Sequence, residues 1–232
     1  MKYQKVVLKI SGETFAEGEK PISKPKVDAF LKMLKKTTDQ DIKITLIIGG
    51  GNFWRKRDFE NLEIKDTDSD QIGMMATIMN GMLFSSMLDK YLISNQLFSS
   101  KELSGIVDGY NIKKARIALN NKNVVIIAGG TGSPFFTTDS AVALRALELD
   151  ADLILKGTKV NGIYDKDPKK HKDAQKYDKI SYEEAIEKKL KVLDQTAFSL
   201  AMQKRIPMIV FNIFEEDSLI NAISEKTGTL VF

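Results

Sequence analysis

Short apolar runs rich in β-branched residues recur along the chain, each separated from the next by a segment of helical spacing. No other feature constrains the fold as much. Val6-Val7-Leu8-Lys9-Ile10 and Ile44-Thr45-Leu46-Ile47-Ile48 read as buried strands, and between them Val27, Phe30, Leu31 and Leu34 recur at helical spacing up to Thr38. Ile72 to Leu88 is a longer, methionine-rich helix, and Leu92 to Phe98 reads as a strand. Val124-Val125-Ile126-Ile127-Ala128, ending at Gly129-Gly130, is the clearest strand of all. Helices are expected over Ser140 to Leu149, Ser181 to Lys189, Asp194 to Lys204 and about Ser218 to Glu225. Strands are expected at Leu153-Ile154-Leu155, Met208 to Phe211 and Thr229-Leu230-Val231. This alternation predicts an α/β fold, a mostly parallel central sheet covered on both faces by helices in a three-layer αβα sandwich. No repeat or Pro/Gly/Ser linker divides the chain, so one domain over 1–232 is expected, with the polar stretch from Asp165 to Asp178 as a surface excursion.

Composition narrows the chemistry. With 43% apolar and 28% charged residues, the 232-residue chain has ordinary globular make-up. No apolar run approaches the roughly 20 residues that span a bilayer. The apolar run at Val6 begins too soon after Met1 for a signal peptide, so a cytoplasmic location is expected, without a membrane partner. The absence of cysteine excludes disulfides, thiolate metal sites and cysteine nucleophiles. The single histidine, His171, sits among Lys169, Lys170 and Lys172 and reads as a solvated loop residue, since one histidine cannot assemble a zinc site. A net charge of +4 suits anionic small molecules, and no basic, aromatic-rich nucleic-acid patch is evident.

Four polar, glycine-containing stretches fall where strands end, the places where ligands collect in open α/β sheets. Lys9-Ile10-Ser11-Gly12 closes the first strand, where a lysine and small residues can approach phosphate, although a surface lysine before a turn would look alike. Gly49-Gly50-Gly51-Asn52 needs positive φ or close backbone approach and can form an anion-binding nest, with Arg55 placed to add a fork of donors. Gly129-Gly130-Thr131-Gly132-Ser133-Pro134-Phe135-Phe136-Thr137-Thr138-Asp139-Ser140 gathers hydroxyls and two aromatics before a helix. Its bland reading is a helix cap at Thr138 or Asp139. In Lys156-Gly157-Thr158-Lys159-Val160-Asn161-Gly162-Ile163-Tyr164-Asp165-Lys166-Asp167-Pro168, Asn161-Gly162 signals a turn, while Tyr164 and Asp167 can pack on an adenine and bind a ribose. No P-loop, Gly-x-Gly-x-x-Gly or protein-kinase signature occurs, so a nucleotide enzyme must use another scaffold.

Taken in order, these stretches resemble the bacterial UMP kinases of the amino acid kinase superfamily over almost the whole chain. Asp70-Gln71-Ile72-Gly73-Met74-Met75-Ala76-Thr77 with Met79-Asn80-Gly81, and the Thr131 to Asp139 stretch, are the more specific elements; the latter separates UMP kinases from carbamate, glutamate and aspartate kinases. Leu190-Lys191-Val192-Leu193-Asp194 is similar too. The resemblance implies the amino acid kinase fold and transfer of the γ-phosphoryl of MgATP to UMP. It places Lys9, Ile10, Ser11, Gly12, Gly51 and Arg55 on the ATP phosphates, and Thr158, Tyr164 and Asp167 around the adenosine. It places Gly50, Asp70 and Thr131, Gly132, Ser133, Pro134, Phe135, Phe136, Thr137 and Thr138 on UMP, with Asp70 on the ribose. Asp139 and Asp194 join Lys9 and Arg55 near the transferred group, with Asp194 expected to orient Lys9. Mg²⁺ comes with ATP, and no protein-held metal is expected. A homohexamer and inhibition by UTP are implied as well.

Two rival readings remain at this stage. One is a kinase of the same fold acting on a carboxylate or carbamate; the other is a non-catalytic nucleotide-binding regulator. One departure from the resemblance stands out. Relatives activated by GTP carry arginines, a histidine and a tryptophan on and after the helix that follows Asp70. Here that helix reads Phe84-Ser85-Ser86-Met87-Leu88-Asp89 before its first cation at Lys90.

Overall fold

The computed structural model describes residues 2–190 and 192–232. Met1 and Lys191, quoted in the segments above, lie outside the described residues. The first half of the chain forms β1 (Lys5–Ile10), α1 (Lys24–Thr38), β2 (Lys43–Ile48), α2 (Asp66–Lys90), β3 (Asn95–Ser99), α3 (Ile112–Asn120) and β4 (Val124–Ala128). It continues with α4 (Thr138–Glu148), β5 (Leu153–Thr158), β6 (Ile163–Tyr164), β7 (Lys176–Tyr177) and β8 (Lys179–Ile180). The last elements are α5 (Tyr182–Glu187), α6 (Gln195–Gln203), β9 (Met208–Asn212), α7 (Ser218–Ile223) and β10 (Thr229–Val231).

Eight strands form one sheet in the order β3-β4-β2-β1-β5-β9-β10-β8, parallel at every pairing except β9 with β10. Side chains alternate between the two faces of each strand. In β1, Val6, Leu8 and Ile10 enter a core shared with α1, α2 and α7, while Val7 enters a second core with α3, α4, α5 and α6. β5 repeats the pattern, with Leu153 and Leu155 on the first face and Ile154 on the second. The three layers expected from the alternation are therefore present. Burial on both faces is why these strands read as nearly continuous apolar runs. Among the described residues, no helix is long and apolar enough to cross a membrane.

Several elements depart from the sequence expectation, the short strands β6, β7 and β8 among them. α3 was not anticipated; its buried Ala115, Ala118 and Leu119 are small or few, and the Asn111 side chain caps it by accepting from the Lys114 amide. β3 begins at Asn95 rather than Leu92, because Leu92 takes a left-handed conformation (φ 56°) and its amide closes the end of α2 on Asp89. α2 begins at Asp66, so Asp70 lies inside the helix instead of ahead of it.

Candidate active site

The strand order turns at β1, with β2 on one side and β5 on the other, so connections diverge and leave a crevice beyond the carboxyl ends. Two lysines stand there. Lys9 of β1 and Lys156 of β5 are direct register partners. By the strand alternation both point to the face covered by α4 and α6. Like charges side by side on adjacent strands repel. The chain answers with Asp139 in the first turn of α4, where the helix dipole also favours an anion. Lys156 Nζ donates to Asp139 Oδ2 at 2.7 Å, and Lys9 Nζ forms an ion pair with Oδ1 at 3.0 Å.

All three side chains are largely buried. Burial pushes the Asp139 carboxyl up, but the Lys9 and Lys156 ammonium groups more than offset it and hold the carboxyl below its ordinary range. Burial, with Lys9 as a like-charged neighbour, pushes the Lys156 ammonium down against the pull of Asp139. Lys156 also donates to the Val192 carbonyl.

Two cavities lie beside this cluster, one lined by Lys156 and the other by Thr138, the chain neighbour of Asp139. One, of about 550 Å³, is lined by Gly50, Gly51, Arg55, Asp70, Thr131, Ser133, Phe136, Thr137 and Thr138, and Thr138 adjoins Asp139. The glycine run earns its composition by close approach: a Cβ on Gly50 would stand 2.8 Å from the Gly73 carbonyl oxygen, so α2 packs directly on the loop. Arg55 donates from Nε to the Gly51 carbonyl at 2.8 Å and is paired with Glu13. Asp70 accepts from the Phe135 amide at 2.8 Å. Gly132, Pro134 and Phe135 belong to the same loop but do not line the cavity, and the Phe135 ring is 73% exposed.

The other cavity, of about 530 Å³, is lined by Lys156, Thr158, Tyr164 and Asp167 together with Val160, Gly162 and Leu190. Tyr164 Oη donates to Asn161 Oδ1 at 2.5 Å, and Thr158 Oγ1 donates to the Val160 carbonyl at 2.7 Å, which folds the Asn161-Gly162 turn over the strand end. Ser11 and Gly12 stand at the end of β1, where Ser11 precedes a short 3-10 turn over Gly12–Thr14. Ile10 is fully buried in the core and lines neither cavity. A further cavity of about 370 Å³ between α1 and the loop after β9 holds none of these residues.

Asp194 behaves differently from expectation. It caps α6 by accepting from the Ala197 amide at 2.8 Å. It also accepts from Ser140 Oγ at 3.1 Å and from Thr137 Oγ1. It ties the starts of α4 and α6 together, and the carboxylate that orients Lys9 is Asp139.

Residues 4–212 match the model of the amino acid kinase family. A uridylate kinase of Buchnera aphidicola subsp. Baizongia pistaciae is 41% identical over 233 residues, which span 100% of this chain and 96% of the relative. The chain belongs to the amino acid kinase family. A uridylate kinase of Fervidobacterium nodosum is 43% identical over 231 residues, 99% of this chain and 98% of the relative. The crystal structure of a UMP kinase from Ureaplasma parvum matches with a TM-score of 0.93 at 32% identity, covering 100% of this chain and 99% of that one.

For this member of the amino acid kinase family, sequence reading passed over Lys156 and Glu13. A signal for Lys156 was present: Ile154-Leu155-Lys156-Gly157-Thr158 parallels Val7-Leu8-Lys9-Ile10-Ser11, each a lysine set in an apolar strand two residues before a hydroxyl. A charge inside a doubly covered strand is costly, and its persistence points to use. Glu13 carried no comparable signal.

Proposed function

We propose that this protein, folded as a single domain over 1–232, transfers the γ-phosphoryl group of MgATP to the phosphate of UMP, giving UDP and ADP. The observation that carries the reading is the Lys9–Asp139–Lys156 cluster, with Lys156 lining one cavity and Thr138, next to Asp139, lining another, each large enough for a nucleotide. In this reading ATP enters beside Thr158, Tyr164 and Asp167, and its phosphates lie along Lys9, Ser11, Gly12, Gly51 and Arg55. UMP occupies the cavity bounded by Gly50, Asp70 and the loop from Thr131 to Thr138.

The UMP phosphate oxygen is already ionised, so attack on the γ-phosphorus needs no strong base, and catalysis rests on position and charge. Lys9 and Lys156, held by one carboxylate, present two ammonium groups toward the equatorial oxygens of the moving phosphoryl. They need no reorganisation as charge shifts. Arg55 adds a planar fork on the acceptor side. Asp194 keeps the first turn of α4 and Asp139 in place. Among the described residues no group of three His, Cys, Asp or Glu side chains could cage a metal. In this reading Mg²⁺ arrives on the phosphate oxygens of its nucleotide.

The names of the relatives favour UMP over a carboxylate or carbamate acceptor, and the intact lysine cluster favours turnover over a silent regulator. The reading includes a place in pyrimidine nucleotide biosynthesis in the cytoplasm, inhibition by UTP, and a homohexamer. The exposed stripe of Ile72, Met75, Met79 and Met82 along α2 supports burial of that face against a second copy. A coupled ADP-release assay with UMP, CMP, dCMP, carbamate and no acceptor tests the reaction. Turnover with UMP well above the others is expected, and turnover with carbamate alone would overturn the assignment.

A further inference from the structure

The loop over the acceptor cavity is held from beneath by a buried arginine that lines neither nucleotide cavity. Arg145, on α4, is 4% exposed. Its Nη1 donates to Glu148 Oε2 at 2.7 Å, its Nη2 donates to Ser100 Oγ at 2.7 Å, and its guanidinium lies 4.1 Å over the Tyr110 ring. Tyr110 Oη donates to the same Glu148 oxygen at 2.9 Å. Arginine has donors only, so the Ser100 oxygen must accept from it and turn its own proton elsewhere. That proton goes to the Gly130 carbonyl, at 2.8 Å. Gly130 and Thr131 line the acceptor cavity, whereas Ser100, Tyr110, Arg145 and Glu148 do not.

The chain of contacts runs from a charge on α4 through one hydroxyl to the backbone of the acceptor loop. The same helix carries Asp139, the carboxylate between the two lysines. A purely structural role explains this poorly. A buried ion pair adds little stability over an apolar residue of equal volume, and Arg145 Nε is buried with no hydrogen-bond partner among the described residues. We propose that Arg145, acting through Ser100, is a positioning residue for the acceptor: it sets the Gly130–Thr131 backbone against Asp139 and so governs binding of the nucleoside monophosphate without touching it. The proposal rests on the assignment of this cavity to UMP.

The test uses Ser100→Ala and Arg145→Lys, each checked for folding by thermal melting. Lysine keeps the charge but cannot reach Glu148 and Ser100 with a planar fork. KM for UMP is expected to rise about tenfold in both variants while KM for ATP stays within about twofold, and the double variant is expected to be no worse than the poorer single one. If Arg145→Lys fails to fold, Ser100→Ala alone carries the test. An unchanged KM for UMP in a folded variant, or an equal rise for both substrates, would overturn the proposal. Faster amide hydrogen exchange at Gly130 and Thr131 in Ser100→Ala is expected whatever the acceptor proves to be. Absence of UMP turnover in the unsubstituted protein would therefore sink the substrate assignment separately, while unchanged exchange would sink the positioning role.

Discussion

Lys156 donates to Asp139 Oδ2 at 2.7 Å, and through that carboxylate it shares a counter-ion with Lys9, its register partner on the neighbouring strand. Two ammonium groups are thereby held at one end of the sheet by a single carboxylate. In the proposed reaction, an arriving polyphosphate meets positive charge already in place, with little reorganisation to complete.

Asp139→Asn removes the main group that holds the proton on Lys156, leaving burial and the Lys9 charge opposed only by the Asp194 carboxylate. The Lys156 ammonium, already below its ordinary range, then loses its proton at still lower pH. The alkaline limb of kcat should move to lower pH, and kcat at neutral pH should fall roughly 10²-fold or more. The profile of kcat against pH for both proteins checks this; an unmoved alkaline limb would contradict it. Asp139 itself has a lowered carboxyl pKa, so its contribution to stability is present above the ordinary aspartate range and is lost as pH falls through the folded value.

Arg55→Ala should lower turnover roughly 10²-fold by removing charge-assisted contacts to phosphate. In the structure Arg55 is paired with Glu13, which keeps the fork oriented toward the acceptor cavity. Steady-state kinetics on a folded variant decide the matter. Unchanged kcat and KM would return Arg55 to an ordinary surface charge.

Gly12→Ala tests the close approach at the end of β1. A Cβ there would stand 2.4 Å from the Gly49 carbonyl oxygen and 2.1 Å from Asn52 Oδ1. Asn52 is held in place by its hydrogen bonds with Asn80, and the Gly49 carbonyl belongs to the backbone. Separation of the two strand ends should cost about 1–3 kcal/mol in stability and raise KM for ATP. Denaturant unfolding and ATP titration check both; a variant of wild-type stability would refute the packing argument.

GTP should activate the protein weakly, below about tenfold, because differential binding at the α2 surface is missing. Ser85 Oγ donates to Asn95 Oδ1 at 2.7 Å and Asn95 Nδ2 donates to Asp89 Oδ1 at 2.8 Å, so these groups are spent on one another. The Asp89 carboxylate would also repel a triphosphate. Initial rate against GTP at subsaturating UMP is the measurement, and a large saturable rise would overturn the expectation.

What the sequence determined by itself is the layered architecture and which glycine-rich stretches fall at strand ends. β-branched runs such as Val124 to Ala128 carry their conformation and burial locally, and Gly49-Gly50-Gly51 and the Thr131 to Asp139 stretch mark strand ends by composition. Helix α3 escaped because small residues such as Ala115 and Ala118 bury well without an apolar signature. Only the tertiary structure decided which charges meet. Lys9 and Lys156 lie far apart in the chain and become neighbours through the register of β1 on β5, a relation set by sheet packing and invisible to either segment. The same holds for the division between the two aspartates: Asp139 faces the lysines from the first turn of α4, while Asp194 is consumed in capping α6, because hydrogen-bond geometry follows the packing of whole elements.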